Sequence, residues 1–183
     1  MFEQLLNLVK EHAGDAIINN PAIPNEKNDE AITHATNGIV NGLQSQLASG
    51  NIGDVLQLMG GKADVNSSPV TNAVSQNVAG DLMSKFGLSS GEAGSIVASL
   101  VPMVLGKLIH KTNDANDSSI DLNGVFSHLS GGKTQGMDMG NILGSLTGGG
   151  SSGGGLSNVL GSVLGGGNTS GGGLGDLMKM FKG

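Results

Sequence analysis

The chain has 183 residues, 33 of them Gly, a formal charge of −6, and no Cys, Trp or Tyr. Its nine cations are all Lys, so no guanidinium is present to grip a phosphate or carboxylate in bidentate fashion. The lack of Cys excludes disulfides, thiolate metal sites and thiol nucleophiles, and the acidic balance argues against a nucleic-acid partner held on a broad basic face.

Phe2, Leu5, Leu6 and Val9 follow the i, i+3, i+4, i+7 spacing of an amphipathic helix. This first helix is predicted to run on through Ala16 and Ile17 until Pro21 and Pro24 stop it. Glu3 and Glu11 interrupt the segment, which has no apolar export core, so a cytoplasmic location is expected. Asn25 reads as the N-cap of a second helix reaching Ser49, with the stripe Ile32, Ala35, Ile39, Leu43 and Leu47. Gly50 supplies a left-handed stop. Asn51 then reads as the cap of a short helix from Ile52 to Met59, ended by Gly60 and Gly61.

Ser68-Pro69 places a capping hydroxyl before a proline in the first helical position. Val70, Val74, Val78, Leu82 and Phe86 follow at four-residue steps, and Gly87 ends that helix. Ser89-Ser90-Gly91-Glu92 matches a capping box. It opens a helix, to about His110, that is apolar nearly all round: Ile96, Val97, Leu100, Val101, Val104, Leu105 and Leu108. Such a surface predicts a central helix enclosed by others and kinked at Pro102, where the Ala98 carbonyl loses its amide partner. Its most apolar window, 96–109, has 14 residues, short of the roughly 20 that a membrane span needs; a core helix is expected. The β-branched residues sit at helical spacing and aromatic strand formers are scarce, so the body is predicted to be all-α.

Composition changes near Gly131. Residues 131–183 hold 20 of the 33 Gly and a net charge of +1, leaving −7 for the body. The chain therefore divides into an all-α domain, 1–130, and a Gly/Ser-rich low-complexity tail, 131–183. The runs 148–155 and 165–173 read as flexible linkers whose backbone entropy no local contact offsets.

A short apolar pattern recurs across both parts. Ile52, Val55, Leu56 and Met59 form the first copy, and Leu122, Val125, Phe126 and Leu129 the second. The tail carries Met139, Ile142, Leu143 and Leu146; then Leu156, Val159, Leu160 and Val163; then Leu174, Leu177, Met178 and Phe181. Each copy is two helical turns with one narrow apolar face, too short to be stable alone in water. Each needs a surface on which to form, so these positions are the candidate interaction residues. The other reading is slippage in a Gly-rich tract.

The opening FEQLLNLV, the segment FGLSSGEAGSIV leading to Leu100-Val-Pro102-Met-Val-Leu, and the closing Gly/Leu segments resemble the YidB-like family (bacterial domain of unknown function 937). The resemblance covers most of 1–130 and, in style, the tail; the capping-box helix with Leu-x-Pro is its most specific motif. It implies a compact, multi-helix, homeodomain-like fold, no established activity, and no catalytic residues to carry over.

The residues give no catalytic constellation. His12, His34, His110 and His128 have no HExxH spacing, and Glu30 to His34 is one residue too long for the Glu-x-x-His of metal bundles. Gly131-Gly132-Lys133-Thr134 looks like the end of a phosphate loop, but Ser127 stands where the first Gly belongs and no strand precedes it. In the acidic loop 113–121, Asp114 and Asn116 fit two calcium-ligand positions, yet Ser119 replaces the required Gly and no Glu closes the loop. A solvated linker with Asp121 as N-cap fits better. No G-x-S-x-G elbow lies between strand and helix. The expectation is a non-enzyme with no metal, cofactor or small-molecule substrate.

Three functions remain. The leading one is a non-catalytic self-assembly or protein-interaction module, whose short helices and Met stickers (Met137, Met139, Met178, Met180) dock on another copy or another protein. The second is membrane-surface association through the weakly charged tail. The third is DNA binding through the helices joined at Phe86–Ser90, although the second of these offers only Lys107 and Lys111.

Overall fold

Local signals set most helix ends in the structure, a computed structural model that describes residues 2–114, 116, 120–135 and 138–147. Among the described residues every regular element is helical, and the body is all-α: α1 (Phe2–His12), α2 (Asn28–Ala48), α3 (Ile52–Met59), α4 (Pro69–Phe86), α5 (Ser90–Thr112), α6 (Leu122–Leu129) and α7 (Met139–Thr147).

The first helix is shorter than its stripe predicts. It ends at His12, and Gly14–Ile18 forms a π-helical turn in which the amides of Ile17 and Ile18 both donate to the Ala13 carbonyl. Gly14, a poor helix former, stands at that break, and the wider turn still buries Ile17. Asn25 does not cap α2. The chain leaves Pro24 through a 3-10 turn, Asn25–Lys27, and α2 begins at Asn28 without a side-chain cap. Asn51 stands at the start of α3, but its amide donates to Gln46 Oε1 at 2.9 Å instead of capping. Gly50 and Gly87 take the expected positive φ, 86° and 68°.

The start of α4 follows the sequence closely: Ser68 Oγ accepts the Val70 amide, with Pro69 in the first turn. The capping box of α5 is complete, since Glu92 Oε2 accepts the Ser89 amide at 2.8 Å and Ser89 Oγ accepts the Glu92 amide at 3.3 Å. The Ser89 hydroxyl also lies 2.7 Å from Glu92 Oε2 as a donor, and this bond, followed by the one from the Ser89 amide, holds the Glu92 carboxyl below its ordinary range.

The helix at the hub is α2, not α5. It packs against α1, α3, α4 and α6 and against both short turns, whereas α5 lies on α4, α1, α3 and the π turn. Closest approach is between α2 and α4, where Gly38 and Gly42 face Val78 and Val74. One side of α5 buries Ile96, Val97, Leu100, Val101, Val104, Leu105 and Leu108, while Ser95, Ala98, Ser99, Met103 and Lys107 face solvent. The expected enclosure therefore fails along that strip, where Ser95, Ser99 and Lys107 are polar and Ala98 offers little area to bury. Helix α5 continues through Pro102. It is the one described helix long and apolar enough to cross a membrane, and half of its most apolar window is buried in the body.

The compositional boundary at 130/131 falls inside a structured region. The compact unit spans Met1–Gly149, because α7 packs on α3 and α6 and buries Met139 and Leu143.

Candidate interaction site

Three copies of the repeated short helix lie among the described residues, and they meet. Helix α7 packs against both α3 and α6, while α3 and α6 each pack on α2. In α3, Val55, Leu56 and Met59 are buried and Ile52 is partly so; Leu58, outside the pattern, is buried too. In α6, Val125, Phe126 and Leu129 are buried with Leu122 half-covered at the edge. In α7, Met139 and Leu143 are buried and Ile142 is partly buried. In these three copies the apolar faces pack within their own chain. The side chain of Leu146 lies outside the described residues, as do both later copies: Leu156, Val159, Leu160, Val163, Leu174, Leu177, Met178 and Phe181. Met137 of the Met stickers lies outside them too.

Backbone chemistry brings α7 to its seat. Asp121 Oδ1 accepts the Gly124 amide at 2.8 Å and starts α6 as a true N-cap. At the other end, Gly131 and Gly132 have φ of 63° and 86°, and their amides donate to the His128 and Ser127 carbonyls. This left-handed exit satisfies the last α6 carbonyls. It also occupies two amides of the Gly-Gly-Lys-Thr segment, leaving no phosphate cradle there. Ser130 Oγ accepts the Thr134 amide at 3.2 Å, bracing the turn. Asp138 Oδ1 then accepts the Asn141 amide at 3.1 Å at the start of α7.

Two contacts define the seat. Asn123 Oδ1 accepts the Met139 amide at 2.8 Å, which sets the N-terminal end of α7. At the other side Leu143 lies directly over Gly60, where a Cβ would collide with its methyl groups. Sequence reasoning missed both residues: Gly60 reads as a helix stop and Asn123 as a polar position within α6. Their partners lie far along the chain, so no local spacing marks them.

The remaining candidates are dispersed. His12, His110 and His128 sit in the last turns of α1, α5 and α6. His34 packs edge-on to Phe86 with ring centroids 5.7 Å apart. Asp114 Oδ1 accepts the Asn116 amide at 2.9 Å, a local turn bond, while Ser119 lies outside the described residues. Among the described residues no three His, Asp or Glu side chains gather as a metal site. Comparison with protein-family models, with curated proteins and with solved structures finds no match to this chain.

Proposed function

We propose that the protein is a non-catalytic self-assembly module of YidB-like type, in which short apolar helices dock on helical bodies. One observation carries this reading: three copies of the repeat, α3, α6 and α7, use their apolar positions as a docking face, and α7 docks on the other two. Two further copies in the tail carry four apolar positions at the same spacing as those of α7. Burying each of its four apolar side chains contributes roughly 1.5–3 kcal/mol, while ordering its eight residues costs about 1–2 kcal/mol each, so a single copy docks weakly. Several copies on Gly/Ser cords raise one another's effective concentration and strengthen association without new contacts.

The test leaves α7 intact, since Leu143 belongs to the body's core. Leu160→Ser together with Met178→Ser removes the tail stickers and keeps the linkers and charge. Light scattering on the full chain is expected to show a concentration-dependent mass above one chain for wild type and a single-chain mass for the double variant. Equal masses overturn self-assembly. Loss only of pelleting with neutral liposomes makes the tail a membrane-surface element, and sub-micromolar binding of duplex DNA with a steep salt slope makes the module a DNA binder.

A further inference from the structure

The two later tail copies are not equivalent as occupants of the α7 seat. Residues 156–163, LSNVLGSV, match 139–146, MGNILGSL, at four of eight positions: Asn158 for Asn141, Leu160 for Leu143, Gly161 for Gly144 and Ser162 for Ser145. The other four differ by Leu for Met, Ser for Gly, Val for Ile and Val for Leu, and apolar exchanges of similar size are tolerated well in packed sites. Residues 174–181 share none of those four identities.

We infer that the seat formed by Gly60 and Asn123 is an exchange site, which accepts residues 156–163 of a second copy of this chain when α7 leaves it. This rests on the self-assembly reading and names where the docking occurs. What the seat asks of its occupant is modest: a backbone amide at the first residue for Asn123 Oδ1, and a leucine four residues on to lie over Gly60. Residues 156–163 supply both. Their own chain's seat is already filled by α7, which has two advantages. Asp138 caps its start, whereas Gly155 stands at the matching position before Leu156, and its short tether gives it a high local concentration. One seat and two fitting segments per chain leave 156–163 in surplus, and the seat of a second copy is the place where that surplus is used.

Two variants unseat α7 in opposite ways. Leu143→Ser weakens α7 and leaves the seat open. Gly60→Leu fills the seat with a side chain of its own, and the φ of −80° at Gly60 suits any residue. Apparent affinity scales with the fraction of seats that are open, so Leu143→Ser is expected to tighten dimerisation by about tenfold or more in light scattering. Gly60→Leu, and Leu143→Ser combined with Leu160→Ser, are expected to lose it. Equal association of Leu143→Ser and Gly60→Leu overturns the seat; if that association still requires Leu160, self-assembly through the tail stands. A Leu143→Ser chain that stays single at every concentration overturns the exchange. Because the chain has no Cys, a second readout leaves Gly60, Asn123 and Leu143 all in place. A chain carrying Ser127→Cys, one turn along α6 from Asn123, mixed with one carrying Gly155→Cys is expected to form a heterodimer with a short bis-maleimide crosslinker, suppressed by Leu160→Ser in the second chain. Absence of that heterodimer overturns the proposal.

Discussion

Gly42 of α2 lies so near Val74 of α4 that a Cβ built on it would stand 2.9 Å from the Val74 Cα. Four residues earlier, Gly38 meets Val78 in the same way, with a Cβ at 3.0 Å from its Cα. Both obstacles are backbone, which cannot rotate aside. Gly42→Ala is therefore expected to destabilise the body by about 1–3 kcal/mol through overpacking, despite the better helix propensity of Ala. Gly80, on α4 with nothing within 4 Å of its Cβ position, is the control. Gly80→Ala is expected to stabilise by about 0.5–1 kcal/mol. Urea titrations followed by circular dichroism separate the two signs.

Along α5, Leu100 is fully buried and Met103, less than one turn on, is 47% exposed. Leu100→Ala is expected to cost about 2–5 kcal/mol, and Met103→Ala to stay within about 0.5 kcal/mol. Equal losses at the two positions in the same titrations would restore α5 as an enclosed helix.

The contrast between those two residues shows what the sequence made legible. Caps and stops act over three or four residues, so Ser68, Ser89 with Glu92, Gly87 and Asp121 were readable from spacing alone, as were the buried stripes of α2 and α4. Asn25 and Asn51 were misread because an Asn has several competing local partners, and a 3-10 entry displaced one while Gln46 took the other. The exposed strip of α5 was missed because seven large apolar residues dominate the helix, while Ser95, Ser99 and Lys107 recur at four-residue steps or close to them and gather on one side. In the interaction site, the apolar faces were legible and the surface beneath them was not. Gly60 and Asn123 act on residues far along the chain, and only the fold brings them together.

The capping box makes a pH-dependent contribution. Hydrogen bonds from Ser89 lower the Glu92 pKa from its ordinary 4.5, so the folded state binds this proton less readily than the unfolded chain. Its stabilisation is then fully present above about pH 4.5 and is lost as pH falls through the lowered folded value. Glu92→Gln keeps the shape of the box without the charge. Wild type is expected to melt above Glu92→Gln at pH 7, with the gap closing below pH 4.5. A gap that stays constant across that range assigns no role to the carboxylate charge.

Asn113 fastens the ends of two helices with one amide group. Its Nδ2 donates to the Met59 carbonyl at 2.8 Å, at the end of α3, and to the Ile109 carbonyl at 2.7 Å, in the last turn of α5. Both acceptors lie at helix C-termini, where the peptide dipoles present negative charge. Asn113→Ala removes two hydrogen bonds, each contributing about 0.5–1.5 kcal/mol net, and is expected to cost about 1–2 kcal/mol. Asn113→Asp is expected to cost more at pH 7, because a carboxylate there faces two carbonyl oxygens with no proton to offer. That repulsion raises the folded pKa of the new carboxyl above the usual value of about 3.9. The folded state then binds the proton more readily than the unfolded chain, so the penalty lessens as pH falls through the raised value. Melting temperatures of Asn113→Ala and Asn113→Asp at pH 7 and pH 4 check this. The Asp variant should be the less stable of the two at pH 7 and should approach or pass the Ala variant at pH 4. The Thr112 hydroxyl also lies within reach of both carbonyls, at 3.3 Å from Met59 and 2.9 Å from Ile109, so an Asp variant that matches wild type at pH 7 would show that Thr112 suffices there and that Asn113 does not join α3 to α5.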